Sequence, residues 1–474
     1  MEPILQQLEN LDKISRQLEF SRDERTNLLN TVGNYANTFL SGLDNVPTFS
    51  EKEPRKSLAI HEKKSLEEIL SLYQSEVAET GINAASGGHL GYIPGGGIFS
   101  AALADFLAAV TNPYAGVYYA SPGAVLIENE VINWLKTIFS FPKSAVGNLA
   151  SGGSISTLIA LTAARDKHQI KNDRIKNSVV YVSEQIHHCF QKTLLIIGLE
   201  DIIIRYVPLD DADKMNPDAL QEIIKKDIEA GLNPFLVAGT AGTTDTGTVD
   251  PLDKIADIAA QNKMWFHVDA AYGGFFILTS RKDLLKGIEK ADSLIVDPHK
   301  GMFLPYGLGA VLIKDEKAML HSNHYLANYM QDAEEDGILT NSPANLSPEL
   351  TKHFRGLRLW LPLQLHGTEP FIATLEEKLL LLQYFRTKLQ EIGFNIGPTP
   401  DLSISYFWYP FENDSNEKNK QLMEAIHRDG SIFFSSSVIK KQYVIRIAIL
   451  SFRTKLLHIE KAVEMIKLCL KEIE

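Results

Sequence analysis

Two cysteines, Cys189 and Cys469, are all that 474 residues hold, and that scarcity excludes a disulfide scaffold and a cysteine-built zinc site. Basic residues are the minority: 47 Lys and Arg against 59 Asp and Glu give a net charge of −12, with the two signs interspersed. No basic stripe is left for DNA or RNA, so small-molecule ligands and no nucleic acid are the expectation. Long apolar runs are missing too. No window reaches the roughly 18 unbroken apolar residues of a membrane span. The opening stretch MEPILQQLENLDKISRQLEF lacks the basic start and apolar core of a secretory signal. A soluble protein in reducing, cytoplasmic surroundings, with no membrane partner, is expected.

What is present is ordinary globular composition, 45% apolar and 22% charged, in a chain long enough for two or three domains. Residues 1–85 are rich in Leu, Glu, Lys and Gln at helical spacing, broken near NVPTFSEKEP, and read as helices that form no core alone. Within residues 86–384 the runs SVVYVS, IIIRYV, FLVAGT, WFHVDA, SLIVD and LGAVLI alternate with amphipathic segments. Unbroken apolar strands separated by helices predict an α/β domain with a mainly parallel sheet covered on both faces. Asn216-Pro217 and Asp250-Pro251 each read as a cap followed by proline at a first helical position, with Gly231 closing the first of these helices. Residues 385–474, with ISYFWYPF, YVIRIAIL and a helical tail, read as a small C-terminal α+β domain.

Polar residues at strand ends of an open α/β sheet are where ligands collect. Ser151-Gly152-Gly153-Ser154 opens a helix and can present N–H groups to an anion. Asp269 ends WFHVDAAYGG, His187 and His188 follow SVVYV, and Thr243 and Thr244 follow FLVAGT. Taken singly, each also reads as a cap, a turn or a packed residue. Lys300, in DPHKGMFLPYG, is harder to dismiss, because lysines are almost never buried unpaired and no obvious acidic partner is at hand. A sheltered lysine of lowered pKa is what a nucleophile or a Schiff base requires. With an anion cradle and the Asp269 carboxylate, it completes the set pyridoxal phosphate needs.

DPHK, HVDAAYGG, SEQIH, GTAGTTDTGTVDPLD, LADFLAAVTNPY with ASPGAVLIENEVINWL, and ILSFRTK resemble, in order, the group II pyridoxal-phosphate-dependent decarboxylases that act on aromatic amino acids, glutamate and histidine. The resemblance runs from about residue 60 to 470. It implies the aspartate-aminotransferase-like fold (fold type I) and decarboxylation of an L-amino acid to an amine and CO2. It implies that Lys300 forms the Schiff base with pyridoxal 5'-phosphate and that Asp269 pairs with the ring nitrogen. His187 and Ala271 would cover the two ring faces, and Gly153 and Ser154 would hold the phosphate with His299 nearby. Thr244 would lie near the cofactor or the substrate carboxylate, and Tyr92 and Pro94, in GGHLGYIPGGG, would line the substrate pocket. A homodimer with the site at the subunit interface, embraced by the N-terminal helices, follows from the same resemblance.

The chain departs from the family at two places. Relatives often carry Asn or Ser where Asp297 stands near the expected phosphate, so Asp297 is expected to turn away or be neutralised by a neighbour. Residues 326–350 correspond to a lid bearing a tyrosine in many decarboxylases. Here the matching place reads Asn-Ser-Pro-Ala-Asn, with Tyr325 and Tyr329 further upstream. Oxidative deamination to an aldehyde and carbon-carbon lyase chemistry are therefore alternatives on the same cofactor. From other classes come a metal-dependent hydrolase built on His187, His188, His267, Asp269 and His299, and a catalytically silent scaffold; the main reading assigns no metal.

Overall fold

The computed structural model describes residues 2–56, 58–60, 63–323 and 342–473. At the N-terminal end, α1 (Glu2–Ser15) and α2 (Arg22–Ser41) bury no residue. A capping box starts α2: the Ser21 hydroxyl accepts the Glu24 N–H and the Glu24 carboxylate accepts the Ser21 N–H. The two-residue strands β1 (Phe49–Ser50) and β2 (Gly81–Ile82) flank α3 (Leu66–Tyr73) and pair antiparallel. Helices α4 (Phe99–Thr111) and α5 (Pro122–Ile138) lead into the main sheet.

That part of the chain runs β3 (Val146–Ala150), α6 (Gly153–Lys167), β4 (Ser178–Ser183), α7 (Cys189–Ile196), β5 (Ile203–Val207), α8 (Pro217–Glu229) and β6 (Asn233–Thr240). It continues with α9 (Leu252–Gln261), β7 (Trp265–Asp269), β8 (Ser293–Val296), α10 (Pro298–Gly301), β9 (Gly309–Ile313) and α11 (Glu316–Asn323). The sheet has seven strands in the order β3-β9-β8-β7-β6-β4-β5. Strands β5, β4, β6, β7 and β8 are mutually parallel, and β9 is antiparallel to both β8 and β3. Two reversals cancel, so β3 points the same way as β8, and its carboxyl end joins those of β4, β6, β7 and β8 on one edge.

The unbroken apolar runs have their explanation in the two cores. Val179, Tyr181 and Val237 pack on one face with residues of α5, α8 and α9. Their neighbours Val180, Val182, Leu236 and Ala238 pack on the other with residues of α6 and α7. Strand β3 was not anticipated, because VGNLA is short and carries Gly147 and Asn148. The Asp250 cap does not form. Helix α9 starts at Leu252 with no side-chain cap, and the buried Asp250 carboxylate instead accepts the N–H groups of Met215 (2.7 Å) and Thr240 (2.8 Å). At α8 the Asn216 side chain does cap, accepting from Asp218 and Ala219, and Gly231 follows at φ +79.

Helices α12 (Gly356–His366) and α13 (Glu369–Glu391) precede a four-stranded antiparallel sheet of β10 (Asn395–Ile396), β11 (Ile404–Trp408), β12 (Ser435–Ile439) and β13 (Gln442–Ala448). This sheet packs with α14 (Ser415–Asp429) and α15 (Leu456–Ile473) in a core of its own. Strands β10 and β12 were also missed from sequence. Just before α12, the buried Lys352 ammonium donates to Glu128 Oε2 of α5 at 2.7 Å and to the Leu149 carbonyl of β3 at 3.4 Å. Arg355 donates to the same carbonyl at 3.3 Å and grips Glu349 with both nitrogens. Removing one partner of a buried ion pair strands the other, so Glu128→Ala is expected to cost about 3–5 kcal/mol; a urea titration measures it.

Candidate active site

The carboxyl edge of the sheet encloses a cavity of about 380 Å³. Each wall comes from the end of a strand. After β3 the chain turns at Gly152, whose φ of +155 with ψ of −179 suits glycine alone, and enters α6, so the first N–H groups of that helix and the Ser154 side chain border the space. After β4 come Gln185, His187 and Cys189; at the end of β6 and just beyond it lie Thr240 and Thr244. Asp269 is the last residue of β7, and Asp297, His299 and Lys300 follow β8.

Asp269 is only 8% exposed, and its Oδ1 accepts the Ala271 N–H at 3.0 Å. Burial raises its carboxyl above the usual range, against the pull of that hydrogen bond and of Lys300. Lys300 departs from the expectation of a lowered value. Burial does pull its ammonium down, but Asp297, with Oδ2 at 3.0 Å from Nζ, and Asp269 beyond it, reverse the shift and hold it above the ordinary amine range. The acidic partner missing from the sequence reading is thus Asp297, one helical turn back, and the same pair is what neutralises Asp297.

His187 Nδ1 accepts the Cys189 N–H at 3.2 Å, which leaves the ring proton on Nε2. Burial, then His188 and Lys300, push this imidazole down to about 4, so it is neutral at pH 7. His299 Nδ1 lies 2.6 Å from the Leu308 carbonyl and therefore carries the proton there, with Nε2 3.8 Å from Asp297. Burial likewise lowers its pKa.

Three side-chain oxygens on the wall, Gln185 Oε1, Thr240 Oγ1 and Asp297 Oδ1, are buried without a hydrogen-bond partner among the described residues. Such atoms cost about 1–3 kcal/mol each when left unmet and point to a ligand that completes them. An amine, a carboxylate across the space and a helix N-terminus for an anion fit pyridoxal phosphate. Of the predicted site residues, Gly153, Ser154, His187, Thr244, Asp269, Ala271, His299 and Lys300 all line this one cavity. Gln185, Cys189 and Thr240 were not singled out. SEQIH and FLVAGT contain the first and last, and only the convergence of strand ends gives them a role.

Tyr92 and Pro94 do not line the cavity. The glycine-rich segment meets the site through its backbone instead: a β-carbon on Gly95 would overlap the His299 carbonyl oxygen. The exposed Tyr92 ring lies 5.6 Å from that of Phe433, and its carbonyl accepts from Arg446, which also donates to Thr244 O at 2.7 Å. Gly95→Ala is expected to displace the Lys300 turn, costing about 1–3 kcal/mol as overpacking does, visible as a lower Tm and weaker cofactor binding. The five-residue metal set is not assembled. His267 is fully buried, has Nδ1 2.8 Å from Ser293 Oγ, and does not line the cavity. Tyr325, Tyr329 and the first part of the expected lid lie outside the described residues. At the end of that stretch Ser342 accepts the Tyr118 N–H at 3.0 Å, and the Pro343 carbonyl accepts from Asn148.

Comparison with known proteins agrees with this geometry. The sequence profile of the pyridoxal-dependent decarboxylase conserved domain matches residues 51–409. An aromatic-L-amino-acid decarboxylase of Bacillus atrophaeus is 34% identical over 372 residues, covering 77% of each chain. A phenylacetaldehyde synthase of Arabidopsis thaliana is 26% identical over 419 residues, covering 85% of this chain and 86% of that protein. In fold, the crystal structure of Catharanthus roseus tryptophan decarboxylase in complex with L-tryptophan superposes with a TM-score of 0.88 at 23% identity, over 96% of this chain and 100% of that one. The cavity, its lysine and its carboxylate therefore lie in a protein that belongs to the pyridoxal-dependent decarboxylase family, whose cofactor is pyridoxal 5'-phosphate and whose chemistry is that of a carboxy-lyase.

Proposed function

We propose that the substrate is an aromatic L-amino acid and that the product is the corresponding amine. The observation that carries the site assignment is the placement of Lys300, Asp269 and the N-terminus of α6 around one cavity; the substrate class rests on relatives that decarboxylate aromatic amino acids. Bound there, the cofactor supplies an electron sink that accepts the electron pair left behind when the α-carboxylate departs as CO2.

The chain's own residues do the rest. Lys300 would hold the cofactor through Nζ. The buried Asp269 carboxylate would pair with the ring nitrogen and favour its protonated form. His187 and Ala271 would bracket the ring, while Gly153, Ser154 and His299 would border the phosphate and Thr244 the substrate carboxylate. The proton returned to the substrate carbon would come from a group facing the cavity, Nζ of Lys300, which Asp297 favours as an ammonium; the neutral His187 ring has no acidic proton to give.

The protein acts as a cytosolic homodimer. The apolar stripe Ile4, Leu8, Leu11 of α1 and the residues Phe99, Leu103, Phe106 and Val110 of α4 are exposed in the single chain, surfaces that a second copy would cover. Both cysteines are free, as a reducing compartment keeps them. Sedimentation of the purified chain at about twice its monomer mass is expected.

A second reading, aldehyde formation, is favoured by the 342–345 stretch, where serine, proline and asparagine stand in place of the lid tyrosine. Product analysis with tyrosine, tryptophan, phenylalanine and glutamate decides between them. Amine and CO2 from the aromatic substrates are expected; aldehyde with ammonia and peroxide would establish the second reading, and turnover of glutamate alone would refute the substrate class.

A further inference from the structure

The Asp297 carboxylate occupies an unusual place. It is 2% exposed, follows β8, and one of its oxygens is held by Lys300 at 3.0 Å. Its other oxygen, Oδ1, has no hydrogen-bond partner among the described residues. Both oxygens press against the glycine turn: a β-carbon on Gly153 would lie 3.1 Å from Oδ2 and 3.5 Å from Oδ1, and one on Gly309 would lie 2.7 Å from Oδ1. Gly153 is the first residue of α6, a 15-residue helix whose N-terminus borders the cavity and can cradle an anion there. A fixed buried carboxylate therefore sits under the turn that must receive the phosphate.

The surroundings do little to separate the two anions. On its own turn Asp297 faces Lys300 and His299. From the segment after β4 it feels His187 and Cys189, and from the end of β7 Asp269. The α6 turn and β9 bring Gly153 and Gly309 against it. Among the described residues the one cation in contact, Lys300, is also the group committed to the cofactor.

We propose that Asp297 couples cofactor capture to protonation: its carboxylate and the cofactor phosphate share one proton in the loaded site, so the phosphate-bearing cofactor binds more weakly as pH rises above neutrality. This rests on the pyridoxal-phosphate reading of the cavity. The sign follows from proton counting. A phosphate monoester loses its second proton near about pH 6, so above neutrality the free cofactor arrives as a dianion. The complex then binds one more proton than its separated parts, and affinity falls by up to roughly tenfold per pH unit.

The test compares pyridoxal phosphate with pyridoxal, which has the aldehyde and ring but no phosphate. Equilibrium binding of each to the cofactor-stripped full-length chain is followed by absorbance and fluorescence between pH 7 and pH 9. Titration of Lys300, His187 or Asp269 affects both ligands alike and cancels in the ratio of affinities. In the unaltered protein the ratio of pyridoxal phosphate to pyridoxal affinity is expected to fall by at least about tenfold over this range. In Asp297→Asn it is expected to start higher and stay level. A level ratio in the unaltered protein overturns the inference without any variant, and so does a slope that survives in Asp297→Asn. Failure of both ligands to bind would instead overturn the cofactor reading itself.

Discussion

Replacing Lys300 with alanine is expected to lower kcat/KM on the order of 10⁴-fold or more, as loss of a covalent catalytic group does, and to erase the visible absorption that the cofactor acquires in the protein. Among the described residues no other lysine lines the cavity, so no neighbouring amine there takes over. The same substitution strands Asp297, 2% exposed, without its cation, and about 3 kcal/mol of stability should go with it. A urea titration of the cofactor-stripped variant checks that cost. Because Lys300 is held above its ordinary value, its contribution to stability is fully present below the unfolded amine value. It is lost only as pH rises through the higher folded one, so the loss should be constant across the neutral range.

Asp269→Asn separates stability from activity in the opposite direction. Without the carboxylate the ring nitrogen loses its proton and with it most of its electron-withdrawing power, and kcat should fall about 10²–10³-fold, as removal of one preorganised electrostatic partner does. The cofactor-stripped variant, however, is expected to be more stable than the parent at neutral pH. Burial raises the Asp269 carboxyl in the folded chain. The folded state therefore binds more protons than the unfolded state at pH values between the ordinary carboxyl value and the raised one. Stability falls as pH rises through that window, and the ionised group remains a net cost above it. Paired measurements of Tm without cofactor and of turnover with it show whether both shifts occur. A variant that loses activity and stability together would mean that Asp269 serves mainly as a structural anchor.

The parts of this architecture that could be read from sequence are those where one physical requirement dominates. Strands such as SVVYVS and SLIV announce themselves because both faces are covered, which forbids polar alternation. Asp269 and Lys300 are conspicuous because each puts a charge at the end of such a strand. VGNLA and SSSVI, by contrast, carry small or polar residues and lie at sheet edges, where pairing rather than burial defines the strand. The pairing of Lys300 with Asp297 depends on one turn of helix after β8 placing the two side chains together, a detail of rotamer and backbone path. Gln185 and Thr240 become site residues only when the ends of β4 and β6 are brought side by side. The Tyr92 segment failed in a different way. A resemblance transfers residue types, and here the chain folds Gly95, not the Tyr92 ring, against the site.

The central claim is that the amine of Lys300 and the carboxylate of Asp269 face one bound pyridoxal phosphate. Borohydride reduction of the cofactor-loaded protein, followed by proteolysis and mass analysis of the peptides, tests it most directly. A reduced phosphopyridoxyl group on the peptide that contains Lys300, and on no other lysine peptide at one equivalent of cofactor, is the expected result. A label on a different lysine, or a loaded protein that borohydride leaves unlabelled, would contradict the account.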